Sequence, residues 1–530
     1  MWIALLLLLS AFVLEDHSAR SGLNARLENG ATPEKHLIET MAGGVAVLDY
    51  DRDGRLDIYL TNGAAPGTLR KTDARYWNRL YRNLGGGKFA DVTAKAGVSG
   101  AGFDIGVAAA DYDNDGYPDL FVAGVDRHVL YRNRGNGTFE DATANAGLAQ
   151  PAAQPWAVGA GWFDMDNDGD LDLFVVNYVR WDPVREPACG ASVRTYCHPR
   201  EYAPLPNALY RNNGDGRFTN VSVESGIAAH PGKGMGLAFG DADGDGRLDV
   251  FVTNDTEPNF LFHNEGGGRF REIAGPAGVA FNDDGRALSA MGADFRDWDN
   301  DGREDLFLTA LTNETFPLFR GLGGNRFADR TYSSLVGKAT LARSGWSAGV
   351  YDFDNDGWKD LFAACSDVQD NTEAFSGRAS RQANLLLVNQ AGLAFQPVTI
   401  GRPAMHRGAA FGDLDGDGSV DVVVTRLGDT PLLLRNMSGG TRHWLGLRLQ
   451  GKRSNRDGIG ALVKLTTAAG RTQWNRVTSA VGYARSSELA VHFGLGAETA
   501  VAAIEIRWPS GTVQQLVPPG VDRYLAVAEP

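Results

Sequence analysis

Cysteine is scarce in this sequence, since only three of its 530 residues are cysteines. The chain therefore cannot be a small scaffold held together by many disulfides. Cys189 and Cys197 lie close together, and we predict a local disulfide between them, with two free thiols as the alternative. Cys365 follows an apolar run and is expected to be a buried thiol.

Long apolar runs are also lacking beyond the first residues. The run Met1–Leu14 is shorter than the roughly 17–25 residues of a membrane-spanning helix, so no transmembrane segment is expected. It matches the apolar part of a signal peptide, although no Lys or Arg precedes it and no clear cleavage site follows it. We predict a secreted, periplasmic or cell-surface protein. Whether residues 1–13 are a complete signal peptide or a fragment of one stays open.

Positively charged residues are fewer than negatively charged ones: the chain has 51 Lys and Arg and 65 Asp and Glu, which gives a net charge of −14. A net negative charge disfavours binding to the phosphate backbone of DNA or RNA, so no nucleic-acid partner is expected. The catalytic motif H-E-x-x-H does not occur, and no catalytic residue is assigned. Glycine, by contrast, is abundant at 67 residues, and together with many aspartates it indicates turns between short strands.

A nine-residue string, D-x-D-x-D-G-x-x-D, occurs seven times. Its copies begin at Asp49, Asp111, Asp164, Asp241, Asp297, Asp352 and Asp413. A run of small residues precedes each string, and an apolar strand and a hairpin follow it, with a last strand exemplified by Phe89–Val98. Four strands in some 55 residues, repeated seven times, predict an all-β, seven-bladed β-propeller with the small residues on the inner strands. The segment 14–23 aligns with Phe89–Val98 and is expected to complete the seventh blade and close the ring.

Each string has the chemistry of a calcium loop. Alternating aspartates place carboxylates on one side of a turn that the glycine permits, the seventh residue offers its carbonyl, and the ninth aspartate closes the shell bidentately. We predict about seven structural Ca²⁺ ions, with Mg²⁺ or plain acidic turns as the alternatives. The candidate ligands are Asp49, Asp51, Asp53, Arg55 and Asp57; Asp111, Asp113, Asp115, Tyr117 and Asp119; Asp164, Asp166, Asp168, Asp170 and Asp172; Asp241, Asp243, Asp245, Arg247 and Asp249; Asp297, Asp299, Asp301, Arg303 and Asp305; Asp352, Asp354, Asp356, Trp358 and Asp360; and Asp413, Asp415, Asp417, Ser419 and Asp421.

These repeats resemble the FG-GAP/VCBS repeats of integrin α-chain propellers. The tail resembles an ASPIC/UnbV domain through four strings, Asn455–Ala461, Gly482-Tyr483, Val491–Gly496 and Ile506–Gly511. The combination is similar to the family of cartilage-acidic-protein-like proteins, which includes bacterial members. The resemblance implies an integrin-α-like propeller over residues 14–440, a small β-rich domain over 441–530, and a secreted calcium-binding protein for adhesion or recognition.

Three long loops are expected on the face opposite the aspartate loops: Asn62–Asn78, Asn177–Asn207 and Ser366–Asn384. We predict that this face binds a glycan or protein partner, with Tyr178, Arg180 and Trp181 as contact residues; alternatively, the loops only cover the mouth of the central channel. The protein is expected to be a non-catalytic module. The alternative is a secreted lyase or hydrolase acting on polysaccharide, with its site in the propeller mouth.

Overall fold

A computed structural model describes residues 14–149, 156–438, 440, 442–479 and 482–530. The apolar segment 1–13, with its predicted signal-like role, lies outside the described residues. Six of the repeats fold into four antiparallel strands and the seventh into three, and the aspartate loop joins the first strand to the second. The second strand is an apolar run buried along its whole length, because a neighbouring blade packs on each of its faces.

The strand bounds follow the repeat. The N-terminal strand is β1 (Leu14–Asp16). The first two sheets contain β2 (Val45–Leu48), β3 (Asp57–Leu60), β4 (Arg79–Gly85) and β5 (Lys88–Asp91), then β6 (Phe103–Ala110), β7 (Asp119–Val125), β8 (Val129–Asn133) and β9 (Phe139–Asp141). The third contains β10 (Ala157–Phe163), β11 (Asp172–Asn177), β13 (Ala208–Asn212) and β14 (Phe218–Asn220), beside a separate pair, β12 (Leu205–Pro206) and β15 (Pro231–Gly232).

The next four sheets repeat this order. They contain β16 (Gly234–Gly240), β17 (Asp249–Asn254), β18 (Phe260–Gly266) and β19 (Arg269–Glu272); β20 (Ala293–Arg296), β21 (Asp305–Leu308), β22 (Leu318–Gly321) and β23 (Phe327–Asp329); β24 (Gly345–Tyr351), β25 (Asp360–Cys365), β26 (Gln382–Asn389) and β27 (Phe395–Ala404); and β28 (His406–Gly412), β29 (Asp421–Arg426) and β30 (Leu432–Asn436). Among the described residues, the strands of the repeats, with β1 beside β30, thus form seven sheets, numbered here as blades 1 to 7 from β2 onward.

Helical turns are short and lie between strands. The α-helical turns are α1 (Ser18–Ser21), α2 (Thr93–Ala96), α3 (Ala274–Ala277) and α4 (Val336–Thr340); the 3₁₀ turns are Leu37–Thr40, Ala74–Tyr76, Pro199–Glu201, Ile227–Ala229 and Thr372–Ala374. Within the described ranges, no helix combines the length and the hydropathy needed to cross a membrane.

The blades close into a ring whose innermost strands touch in succession, β2 to β6, β10, β16, β20, β24, β28 and back to β2. Glycines make this contact possible, as the small-residue runs predict. A Cβ added at Gly44, Gly106, Gly236, Gly292 or Gly408 would lie 2.3, 2.4, 2.1, 2.4 or 2.4 Å from a backbone oxygen of the next blade. The β-propeller fold expected from the sequence is confirmed.

Replacing one of these glycines should loosen the ring. In Gly236→Ala the new Cβ would lie 2.1 Å from the Met291 carbonyl oxygen, so the backbone must move. We expect a loss of about 1–3 kcal/mol in the free energy of unfolding, read as a lower melting temperature by circular dichroism. Gly275→Ala is the matched control, because nothing lies within 4 Å of its added Cβ. Equal melting temperatures for the two variants would contradict the close-packing argument.

The N-terminal strand closes the last blade. β1 pairs antiparallel with β30, with Leu14 opposite Asn436 and Asp16 opposite Leu434. β1 thus adds a fourth strand to the sheet of β28, β29 and β30, and the aligned strands are shorter than predicted. In the first repeat the strand ends at Asp91, whose side chain accepts the Thr93 N–H at 2.9 Å and so starts the helical turn α2.

The C-terminal residues form two further sheets on the face that carries the aspartate loops. Their strands are β31 (His443–Gln450), β32 (Leu462–Thr467), β33 (Thr472–Arg476), β34 (Arg485–Ser486), β35 (Val491–Gly496), β36 (Val501–Arg507), β37 (Val513–Leu516) and β38 (Arg523–Ala528). One sheet has the order β35-β31-β38 and the other β33-β32-β36-β37. The remaining strand, β34, adds instead to the innermost strand of blade 1, in parallel with β2.

The segment 482–488 therefore lies in the central channel of the propeller. The Val45 N–H donates to the Ala484 carbonyl at 3.1 Å, and the Leu237 N–H of blade 4 donates to the Gly482 carbonyl at 2.9 Å. The same short segment thus bonds to inner strands on two sides of the ring. Its side chains Tyr483 and Arg485 are fully buried.

Candidate metal centres and the covered channel

The aspartate loops fold so that their carboxylates converge. In blade 1, the Asp49 carboxylate accepts the N–H groups of Asp53 and Gly54 at 3.0 and 2.9 Å. Gly54 has a φ of 88°, and the residue at position 4, Arg52, also lies in the left-handed region with a φ of 59°. Two consecutive tight turns therefore bring positions 1, 3 and 5 to one side. Position 4 is Asn or Gly in the other six loops, a signal for this second turn that the sequence analysis missed.

The acidic groups in five of the loops come close enough to share one ion. The oxygens lie within 4.8 Å of one another in the sets Asp49, Asp51 and Asp53; Asp111, Asp113 and Asp115; Asp164, Asp166 and Asp172; Asp241, Asp243 and Asp245; and Asp297, Asp299 and Asp305. In blade 6, burial raises the pKa of Asp352, and the nearby charges of Asp356 and Asp354 add to the shift. A set made only of carboxylate oxygens is the chemistry that hard cations such as Ca²⁺ prefer.

Three carboxylate oxygens give a direct test of whether the loops fit a cation. Oδ1 of Asp51, of Asp111 and of Asp297 is buried and accepts no hydrogen bond among the residues described. A buried, unpartnered carboxylate oxygen is costly unless a cation or proton approaches it. The residues present therefore fit a metal ion.

Burial and mutual repulsion make these carboxylates hard to ionise without a cation. Burial, with the charges of Asp51 and Asp49 adding to the shift, raises the pKa of Asp57 to about 8. Burial likewise raises the pKa of Asp111 to about 7, with Asp457 adding to the shift. A divalent ion in the loop would offset both effects.

The aspartate at position 9 also has a structural task. Asp57 is fully buried; its Oδ2 accepts the Tyr50 N–H at 3.2 Å and its Oδ1 accepts the Asn83 N–H at 2.7 Å. It therefore ties the loop to the third strand of its blade. Bidentate closure of a metal shell by this residue stays a prediction, as does ligation by the carbonyl at position 7. In blade 1 the N–H of that residue, Arg55, donates to Asp53 at 3.0 Å.

An arginine on the third strand of several blades also reaches the loop carboxylates. Arg82 pairs with Asp51 at 2.6 Å and with Asp53 at 3.0 Å, and Arg320 pairs with Asp299 and Asp301 at 2.5 and 2.7 Å. These arginines were not predicted as site residues, although they recur in similar strings, L-Y-R-N at 80–83 and 130–133 and L-F-R-G at 318–321. They neutralise part of the charge at positions 3 and 5.

The asparagine that follows this position on the third strand links neighbouring blades. Nδ2 of Asn133 donates to the Tyr50 carbonyl of the preceding loop at 2.8 Å, and Nδ2 of Asn264 donates to the Met165 carbonyl at 2.8 Å. The same contact closes the ring, because Nδ2 of Asn83 reaches the Leu414 carbonyl at 2.8 Å. The geometry of these aspartate loops is thus coupled to the packing of the blade that follows.

C-terminal residues contact the aspartate loops directly. Asp457 accepts the N–H of Asp111 at 2.8 Å. Glu488 accepts the N–H of Asp413 at 3.0 Å, and the Tyr524 hydroxyl donates to an Asp413 oxygen at 3.0 Å. The C-terminal sheets are therefore seated on the candidate metal loops themselves, a contact that the sequence analysis did not anticipate.

The long loops on the opposite face interlock over the channel. Gln369 of the blade 6 loop exchanges two hydrogen bonds with the Tyr196 backbone of the blade 3 loop, at 2.8 and 2.9 Å. Cys189 and Cys197 form a disulfide inside the blade 3 loop, and Cys365 is a buried free thiol. This arrangement supports the alternative in which the long loops cover the mouth of the channel.

One of the three predicted contact residues is not available to a ligand. Tyr178 is only 2% exposed, and its hydroxyl donates to Asp255 at 2.7 Å, so its assignment as a contact residue is wrong. Arg180 is exposed. Trp181 is half-buried against Trp156, with ring centroids 6.4 Å apart. A role for these two residues in recognition stays a prediction.

A ring of four-stranded blades, each with an acidic loop between its first two strands, defines a β-propeller of the FG-GAP type. The chain belongs to the FG-GAP-like repeat family, which it matches over residues 49–122, 112–175, 201–252, 241–308 and 297–363, together more than half of its length. Residues 451–530 match the family described as ASPIC and UnbV.

Relatives share both parts of this architecture. The chain is 25% identical over 489 residues to cartilage acidic protein 1 of Mus musculus, covering 88% of this chain and 70% of that protein. For the Homo sapiens protein the identity is again 25% over 489 residues, covering 88% and 69%. A structure of an Agrocybe aegerita lectin is similar at 17% identity with a TM-score of 0.40, covering 73% of this chain and 87% of that one. A likeness this distant says nothing about function.

Proposed function

We propose that the chain is a calcium-binding, non-catalytic recognition module that works outside the cytoplasm. Its propeller, residues 14–440, would hold about seven structural Ca²⁺ ions, and residues 441–530 would form a second unit seated on them. The observation that carries the proposal is the convergence of loop carboxylates with buried, unpartnered oxygens on Asp51, Asp111 and Asp297. Two observations support this location: the signal-like segment 1–13, and the relatives' name, which refers to cartilage, an extracellular matrix.

The partner we propose is a glycan or a protein, and no reaction is assigned. The alternative of an enzyme with its site in the propeller mouth loses support, because Tyr483 and Arg485 are buried in the channel and the interlocked loops cover its far end. Among the described residues at the mouth, His36 is paired with Glu186 at 2.5 Å. The charge balance agrees with calcium binding, since seven divalent ions would compensate the net charge of −14.

Calcium stoichiometry tests this proposal. Chelator-treated protein dialysed against Ca²⁺ should retain about seven ions per chain by elemental analysis, and Mg²⁺ at equal concentration should not displace them. Asp297→Asn should lower the count by one, because it removes one ionised ligand from one loop. Asp283→Asn, an exposed aspartate outside the loops, is the matched control and should leave the count unchanged. A wild-type protein that retains no Ca²⁺ would overturn the proposal.

A further inference from the structure

A cleft of about 440 Å³ lies between the C-terminal sheet and the aspartate loops of blades 4 and 5. This volume falls within the range of small-molecule binding sites. One wall is the outer face of the sheet β33-β32-β36-β37, which presents Trp474, Arg507 and Val513. The other wall is formed by loop residues, among them Asp245 and Arg303. The cleft thus joins an aromatic and apolar surface to a dense set of hydrogen-bonding groups.

The apolar surface of the cleft is accessible. Val513 is 58% exposed, and Trp474 is partly exposed. Trp474 and Val513 lie on the two edge strands of this sheet, β33 and β37, so the concave site has an exposed apolar group near each side, as is typical of a surface that a ligand covers. The indole lies close to the loop backbone, since its Nε1 would be 3.0 Å from a Cβ added at Gly302. A ligand resting on Trp474 would therefore also contact the blade 5 loop.

The arginines of the cleft are already matched by carboxylates. Arg507 pairs with Glu505 at 3.0 Å and Arg303 pairs with Asp301 at 2.5 Å. At the base, the buried Arg476 pairs with Glu304 at 2.8 Å. A strongly anionic ligand would have to displace these carboxylates, and a cationic ligand would have to compete with the arginines. The lining favours a neutral ligand with many hydroxyl groups, which can donate to the carboxylates and accept from the guanidinium groups.

We propose that this cleft binds a neutral oligosaccharide, with the C–H face of one sugar ring against Trp474, a second ring against Val513, and hydroxyls on Arg507, Arg303 and Glu304. The inference deepens the proposed function and rests on it, because it names the ligand class and moves recognition to the calcium-loop face. It also explains why two units meet here: neither the sheet nor the loops alone would enclose the ligand.

The test is calorimetric titration of the calcium-loaded full chain with linear neutral tetrasaccharides of glucose, mannose, galactose and xylose. At least one tetrasaccharide should bind. Trp474→Ala should raise its Kd at least about tenfold, which is the effect expected from losing one stacking contact. Arg507→Ala, at an exposed position that cannot unfold the chain, should weaken it several-fold. Phe375→Ala removes an exposed aromatic ring on a long loop of the opposite face and should change nothing.

Three outcomes would overturn the inference. Binding of none of the tetrasaccharides would exclude the ligand class, and unchanged binding in both Trp474→Ala and Arg507→Ala would exclude the cleft. Loss of binding in Trp181→Ala alone would place recognition on the long loops, which leaves the proposed function standing. Calcium counted on the same samples separates the two questions, because failure of calcium binding contradicts the proposed function whatever the sugars do.

Discussion

Removal of calcium with EGTA is expected to lower the melting temperature of the chain by roughly 10 °C or more. A ligand present at a thousand times its Kd stabilises the folded state by about 4 kcal/mol per site. Several loops should contribute, since each one ties two strands of its blade and several of them, through contacts such as Asn264 to Met165, also bind the following blade. Differential scanning calorimetry in Ca²⁺ and in EGTA measures the effect.

The same treatment should release the C-terminal sheets from the loop face. Asp457 lies against Asp111, and Glu488 lies against Asp413, so the contact brings like charges together. With Ca²⁺ in the loops this arrangement is compensated, whereas without it the carboxylates repel. We expect limited proteolysis in EGTA to cleave between β30 and β31, and to leave the calcium-loaded chain intact. Equal cleavage in both buffers would contradict calcium-dependent docking.

The stabilisation by calcium should grow with pH. In the metal-free protein, burial raises the pKa of Asp57 to about 8 and that of Asp111 to about 7. Because these values exceed those of the unfolded chain, the metal-free fold is favoured at low pH and loses stability as the pH rises through about 7–8. The difference in melting temperature between Ca²⁺ and EGTA should therefore be larger at pH 8 than at pH 5. A difference that shrinks over this range would argue against the loops as the sites.

The repeat could be predicted from sequence because its signals are local. Five fixed positions in nine residues specify each aspartate loop, and small residues such as Gly236 mark the inner strands whatever the rest of the chain does. The closing strand at Leu14–Asp16 could be recognised by its likeness to the last strand of each repeat. Even the helical turn after that strand has a local cause that was overlooked, the Asp91 side chain that accepts the Thr93 N–H.

Contacts between distant segments could not be predicted in this way. Tyr178 is adjacent to exposed residues in sequence, but its burial depends on Asp255, which lies 77 residues away. The placement of Gly482 and Tyr483 in the channel depends on strands of blades 1 and 4. The cleft beside Trp474 exists only because the C-terminal sheet meets the aspartate loops of blades 4 and 5. No periodic pattern in the sequence indicates these contacts, so they could be identified only from the structure.

The channel segment supplies the second large effect, at the buried pair of Arg485 and Asp294. These side chains are 0% and 2% exposed, and Nη2 of Arg485 lies 3.1 Å from the Asp294 carboxylate. Asp294 also pairs with Arg296 at 3.2 Å, so one carboxylate compensates two buried guanidinium groups. Asp294→Asn should therefore cost about 3–5 kcal/mol in the free energy of unfolding, the usual penalty for leaving a buried charge without its partner.

A second substitution distinguishes lost charge compensation from general damage. Adding Arg485→Met to Asp294→Asn removes one of the two unpaired charges while keeping most of the side-chain volume, and should restore part of the lost stability. Arg485→Met alone should cost less than Asp294→Asn, because Arg296 still compensates the carboxylate. Urea unfolding midpoints measure all three variants, with the exposed Asp283→Asn as control. If the double variant were less stable than Asp294→Asn, the channel segment would be held by packing and backbone hydrogen bonds, and the ion pair would not anchor it.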